Sequence, residues 1–259
     1  MDLGIDGRKA IVCASSEGLG KGCALALAQA GCEVIVNART EATVEATVAE
    51  ISAATGASVI GVAADVGTPE GQQALLKACP NPDILVNNNG GPPRRNYTEL
   101  DRQDMINGVV QNMITPIELI QAVADGMAER KFGRIVNITS LSVMMPIEGL
   151  DLSSGARAGL TAFLAGVRPL YAAHNVTINN LLPGKMDTKR LQGGFAAGSK
   201  ATGKSIEELS DATRSEIPAK RFGTPEEFGN TCAFLCSQYA GYLTGQNILM
   251  DGGLYPHAF

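Results

Sequence analysis

Ser153 and Arg157, four residues apart in the stretch GLDLSSGARAGL (149–160), are a pair whose types and spacing suggest chemistry. On a helix that spacing sets both side chains on one face. The serine offers a short, weakly acidic hydroxyl that can hydrogen-bond an oxygen. The arginine, with a pKa above ~12, stays cationic and can polarise an oxygen or hold a ribose, but it cannot relay protons. Such a pair can stabilise developing oxyanion charge, and it lacks a matched general acid. Tyr97, in the loop after the fourth apolar run, and Glu148 and Asp151, just before the pair, are residues that could supply a proton, and each also suits an ordinary surface or turn position.

A second chemical signal lies in CASSEGLGKGCALALA, where Gly18 and Gly20 stand between an apolar run and a helical pattern. Glycines there let the backbone approach a pyrophosphate at a helix N-terminus, although two glycines before a helix can equally make a packing turn. The end of the next apolar run, NARTEA, carries Asn37 and Ala38 where a ribose-binding carboxylate would stand, followed by Arg39. A neutral site with an adjacent guanidinium favours a 2′-phosphate, hence NADP over NAD, with Glu17 as the one acidic residue counting against it. Further cations, Arg94, Arg95, Lys185, Lys189 and Arg190, follow NNNGGPP or open the segment after residue 184. With Arg157 they could line a pocket for a carboxylate or phosphate ester, or point to solvent.

The elements that must position these residues alternate between short apolar runs and longer helical patterns, which is the sequence form of βαβ units around a parallel sheet. Strands are expected at 9–15, 33–38, 58–65, 83–88, 133–140, 176–183 and 246–253. A helix over about 19–30 follows the first. Thr40 caps the next, with Val44, Val48 and Ile51 at helical spacing, and Thr68 with Pro69 opens a third. Thr224, Pro225 and Glu227 form a capping box before the last. Right-handed crossovers then give an α/β fold, a doubly wound seven-stranded parallel sheet of Rossmann type in a single domain over 1–259. The segment 186–215 reads as an irregular, glycine-bearing insertion suited to a lid.

Composition narrows the function. A net charge of -5 gives no basic field for nucleic acid. No stretch approaches the ~20 apolar residues that span a bilayer, and the N-terminus has no targeting pattern, so a cytoplasmic protein is expected. The six cysteines fall inside apolar patterns without zinc-site spacing, and His174 and His257 stand alone, so no metal site is expected.

Across essentially its whole length the chain resembles the short-chain dehydrogenase/reductase family, in particular reductases similar to 3-oxoacyl-acyl-carrier-protein reductase. The family's TGxxxGxG appears as Cys13-Ala14-Ser15-Ser16-Glu17-Gly18-Leu19-Gly20, with the opening Thr-Gly lost. Its Asn-Asn-Ala-Gly appears as Asn87-Asn88-Asn89-Gly90, its adenine-contacting Asp-Val as Asp65-Val66, and its Pro-Gly-x-x-x-Thr as Pro183, Gly184 and Thr188. The resemblance implies that these segments bind the dinucleotide, with Thr188 at the nicotinamide carboxamide. It also implies that Ser140 and Asn112 are two members of the catalytic set, while the family's YxxxK falls on Ser153-Ser154-Gly155-Ala156-Arg157.

Three functions follow. The first is an NADP-dependent reductase acting on the carbonyl of a small polar or anionic substrate, with Ser140, Asn112, Ser153 and Arg157 as its catalytic residues and a proton from water or another side chain. The second is a protein that binds NADP or a metabolite without turnover. The third is a non-redox enzyme of the halohydrin dehalogenase kind, disfavoured because those enzymes keep the tyrosine and fill the nicotinamide pocket. The resemblance further implies a homotetramer or homodimer built from helices around 101–131 and 154–173 and from the C-terminal segment.

Overall fold

The computed structural model describes residues 2–92 and 94–257. Seven parallel strands form one sheet: β1 (Lys9–Val12), β2 (Glu33–Ala38), β3 (Val59–Ala63), β4 (Ile84–Asn87), β5 (Gly133–Ile138), β6 (Val176–Pro183) and β7 (Asn247–Met250), in the order β3-β2-β1-β4-β5-β6-β7. The order reverses between β1 and β4, so a crevice opens at the carboxyl ends of those strands, where ligands bind in such sheets. The helices are α1 (Gly18–Gln29), α2 (Glu41–Thr55), α3 (Pro69–Ala78), α4 (Arg102–Val109), α5 (Thr115–Glu129), α6 (Asp151–Ala172), α7 (Lys189–Thr202), α8 (Ile206–Glu216) and α9 (Pro225–Cys236).

Strand side chains alternate between two cores. Ala10, Val12, Val34 and Val36 pack with Leu27 of α1, Ile51 of α2 and Phe228 and Leu235 of α9. Ile11 and Ile35 face the other way, against Leu75 of α3, Leu119 and Val123 of α5 and Leu160 and Leu164 of α6. Both faces of the sheet are therefore covered, which is why its strands read as continuous apolar runs. The six cysteines are buried free thiols. Among the described residues no helix is long and apolar enough to cross a membrane.

The expected strands all occur; β2 and β6 keep their expected bounds and the other five are shorter. β1 stops at Val12, three residues short of the expected run, because Ala14 turns the chain with φ of 44°. The segment 186–215 is not irregular: it folds as α7 and α8, capped by Thr188 and Ser205, with Gly203 closing α7 in the left-handed conformation. Its glycines had masked the helical pattern. The helix expected over 101–131 is interrupted by one π turn, Val110–Ile114, which carries Asn112. Such turns rotate a side chain out of helical register.

Candidate functional site

The turn after β1 is built by side chains that never leave the interior. The Ser15 hydroxyl donates to the Val12 carbonyl at 2.6 Å and accepts the Asn37 N–H at 2.9 Å. Asn37 in turn accepts the Ala14 N–H and donates to the Val62 and Ala64 carbonyls. Ser15 is thus a shaper of the turn, and its hydroxyl is spent. The Ser16 carbonyl is held by Thr47 of α2. Gly20 admits no side chain, since a Cβ there would come 2.3 Å from the Ala14 carbonyl oxygen, and Gly18 takes a left-handed φ of 56°.

The amino end of α1 fits a pyrophosphate. Its N-cap, Glu17, makes no capping hydrogen bond, and no acidic residue lies in the first turn. The first N–H groups of the helix are therefore left for an anion, with the helix dipole in their favour. Glu17 itself turns to Lys189, 3.2 Å away, so the carboxylate that opposed a 2′-phosphate is partnered. Arg39 at the end of β2 is exposed and has no ion pair among the described residues. With Asn37 consumed by the backbone, no carboxylate stands at the ribose position.

Around this turn the other expected contacts gather at the carboxyl edge of the sheet. Asp65 is exposed and Val66 is buried just after β3. Asn89 donates to the Gln111 carbonyl and accepts the Gly90 N–H. Gly184, after Pro183, lies so close to the end of β7 that a Cβ would meet Asp251 at 2.6 Å. Thr188 caps α7 and sets its methyl group beside Gly18. Leu19 packs against the core beneath the turn.

Three of the candidate catalytic residues gather beyond β4 and β5, Ser153 against Arg157 and Arg157 with Asn112 around one cavity. Arg157 of α6 is 8% exposed; its Nε donates to Ser153 Oγ at 3.2 Å and its Nη1 to the Ile138 carbonyl at 2.5 Å. Burial, and to a lesser degree the Arg190 cation, pushes the Arg157 guanidinium down from 12.5 to about 10, so it still carries its charge near neutral pH. A cavity of about 20 Å³ is lined by Arg157, Asn112, Asn87, Asn137 and Thr115. Asn112 Oδ1, Asn87 Oδ1 and Thr115 Oγ1 are buried without a hydrogen-bond partner. Ser140 follows β5 by two residues and uses its oxygen to accept the Ser142 N–H, leaving its own proton to donate. Among the described residues none of the three candidate acids hydrogen-bonds this group. Tyr97 is 72% exposed, and Asp151 and Glu148 face out at the entry to α6.

One feature of the site was missed in the sequence. Asn87, Asn137, Asn180 and Asn247 stand opposite one another on four successive strands. Each side-chain amide donates to the next oxygen, at 2.9, 3.1 and 2.8 Å. The chain of amides ends in the unpartnered Asn87 oxygen at the cavity. An asparagine inside or at the edge of four apolar runs was the available signal. Its neighbour Asn88 ties β4 to the glycine turn through the Ala14 carbonyl.

Comparison with known proteins gives a consistent picture. A family model described as enoyl-(acyl carrier protein) reductase matches residues 13–255. The 3-oxoacyl-acyl-carrier-protein reductase FabG of Vibrio cholerae serotype O1 is 33% identical over 258 residues, covering 98% of this chain and 99% of its own. The L-sorbose reductase of Gluconobacter frateurii, solved with NADPH and L-sorbose, superposes with a TM-score of 0.94 at 27% identity, over 99% of this chain and 100% of that one. YwfH, an NADPH-dependent reductase involved in bacilysin biosynthesis, superposes at 0.91 with 30% identity, over 97% and 100%.

Proposed function

The chain belongs to the short-chain dehydrogenase/reductase family, and we propose on that premise that it is an NADP-dependent reductase of the carbonyl group of a small polar or anionic substrate. The observation that carries this reading is the buried Ser153–Arg157 pair next to Asn112 and the end of β5, combined with an uncapped α1 N-terminus and a free Arg39. NADPH, when bound, supplies the hydride. The pyrophosphate would be held by N–H groups of the Ser16–Gly20 turn, since the Ser15 N–H donates to the Asn37 carbonyl at 2.7 Å, the 2′-phosphate by Arg39, the adenine side by Asp65 and Val66, and the nicotinamide side by Asn89, Gly90, Pro183, Gly184 and Thr188.

In this reading Ser153 and Arg157 occupy the positions of the family's tyrosine and lysine. The Ser140 and Ser153 hydroxyls donate to the substrate oxygen, and Asn112 fixes the π turn behind them. Two of the five guanidinium N–H groups of Arg157 are engaged by Ser153 and Ile138. The rest of that fixed charge stabilises the oxyanion as it forms, in a site where little solvent reorganises. The proton that completes the alcohol comes from water, because no acid hydrogen-bonds the pair among the described residues. The helices α7 and α8 serve as a lid, with the Lys189–Glu17 pair joining it to the glycine turn. Exposed Met105, Ile106 and Val109 on α4 and Phe163 and Leu170 on α6 suit a homodimer or homotetramer contact.

Titration with NADPH and NADH, followed by nicotinamide fluorescence and then by addition of ketones and aldehydes, tests the reading. Tighter binding of NADPH, lost in Arg39→Ala while NADH binding is unchanged, and oxidation that requires a carbonyl compound are expected. Tight binding without oxidation over a broad carbonyl panel would replace the reductase by a dinucleotide-binding protein without turnover. That second reading is favoured by the exposure of Tyr97, Glu148 and Asp151 away from the pair.

A further inference from the structure

We infer that the substrate carries a carboxylate or phosphate ester, held by Arg94, Lys185 and Arg190 while its carbonyl lies at Ser153 and Arg157; this rests on the reductase reading above. Three separate segments bring these cations to the catalytic side of the cleft. Arg94 follows β4, and its Cβ lies 3.6 Å from where a Cβ on Gly149 would be. The next residue's N–H, that of Arg95, donates to the Gly149 carbonyl at 3.2 Å. Arg94 is thereby fixed beside the turn that enters α6 and delivers Ser153. Lys185 directly follows Gly184 at the end of β6. Arg190, in the first turn of α7, reaches back over the loop and donates to the Gly91 and Pro92 carbonyls, both at 3.0 Å.

The charges feel one another. Burial and then the Arg94 cation lower both Lys185 and Arg190, and Arg190 adds to the lowering of Arg157. Four positive groups thus stand in mutual repulsion, three of them partly desolvated. No ion pair neutralises any of the four among the described residues. Among the described residues the carboxylate that opposes this group is Glu216, acting on Lys185.

Neighbouring cations behave differently. Arg95 is spent on Asp104 at 2.7 Å and Lys189 on Glu17 at 3.2 Å. These five cations are therefore sorted by the fold into two with carboxylate partners and, among the described residues, three without. A group of neighbouring cations without carboxylate partners is unfavourable in the free protein and becomes favourable when an anion enters. Guanidinium forks and an ammonium suit carboxylate and phosphate oxygens. The dinucleotide's own phosphates have partners elsewhere, at the α1 N-terminus and Arg39.

The test is calorimetric titration of malonate and of inorganic phosphate into the NADPH-saturated protein. Binding is expected, weakened about tenfold or more in Arg94→Ala and in Lys185→Gln, as befits loss of one charge-assisted hydrogen bond. NADPH affinity should not change in these variants, and Arg95→Ala should bind both anions like the wild type. If NADPH itself fails to bind, the cofactor reading falls, and the same anion titrations are read on the free protein. Turnover then separates the sources: levulinate against methyl levulinate tests a carboxylate, and hydroxyacetone phosphate against hydroxyacetone tests a phosphate. The inference is overturned if neither anion binds up to about 20 mM, if both variants bind like the wild type, or if the neutral ketones are reduced as well as their charged analogues.

Discussion

Replacing Asn137 by leucine isolates the chain of amides that crosses the sheet. Leucine keeps the branch at Cγ and the number of heavy atoms while removing both polar groups. Asn137 is 1% exposed, accepts from Asn87 Nδ2 at 2.9 Å and donates to Asn180 Oδ1 at 3.1 Å. Its loss strands one donor on Asn87 and one acceptor on Asn180, both buried. At ~1–3 kcal/mol for each unsatisfied buried group, less a gain from apolar burial, a net loss of about 2–4 kcal/mol is expected. For a chain of this size that corresponds to a fall in Tm of roughly 4–16 °C. Asn247→Leu, at the exposed end of the same chain, strands only one Asn180 N–H at a part-buried position and should cost about 1 kcal/mol. Urea unfolding of both variants, followed by circular dichroism, measures the contrast. Equal costs for Asn137→Leu and Asn247→Leu would refute the idea that the buried amides act as a connected network.

Ala14 holds a left-handed φ of 44° in the turn after β1, so Ala14→Gly should relieve strain and raise stability by about 0.5–1 kcal/mol after allowing for the greater freedom of glycine when unfolded, read as a higher urea midpoint. The Arg157 guanidinium, pushed down to about 10, remains charged up to about pH 9, and kcat/KM should be flat from about pH 6 to 9 apart from effects on the substrate. Its folded value lies below its ordinary one, so charging it opposes folding at lower pH, and that opposition is released as pH rises through about 10. Glu227 is held down to about 2, first by Arg221 and then by the Thr224 N–H. Its contribution to stability is therefore present above about pH 4.5 and lost as pH falls through about 2, and the urea midpoints of wild type and Glu227→Gln should converge over that interval.

Much of the architecture was legible because it depends on local periodicity. The apolar runs marked every strand, and Thr68-Pro69 and Thr224-Pro225-Glu227 marked helix starts that the structure keeps. The segment after Thr188 failed, since Gly193, Gly194 and Gly198 lower helix propensity and nothing local reveals the packing that offsets them. The side chains at the cofactor turn were harder still. Ser15 reads as a cofactor-binding residue of the glycine turn, yet its hydroxyl is consumed between β1 and β2, and that depends on a residue 22 positions away.

The sequence by itself determined the order of strands and helices, the glycine turn, the absence of a ribose carboxylate and the adjacency of Ser153 and Arg157 on one helix face, because each is a property of neighbouring residues. Only the tertiary structure decided that Arg157 is buried against Ile138, that Asn87, Asn137, Asn180 and Asn247 share one line across the sheet, and that Arg94, Lys185 and Arg190 lack the partners that Arg95 and Lys189 have. Those facts depend on strand register and on side chains from distant segments competing for the same carbonyl or carboxylate, and no local pattern encodes the outcome of that competition.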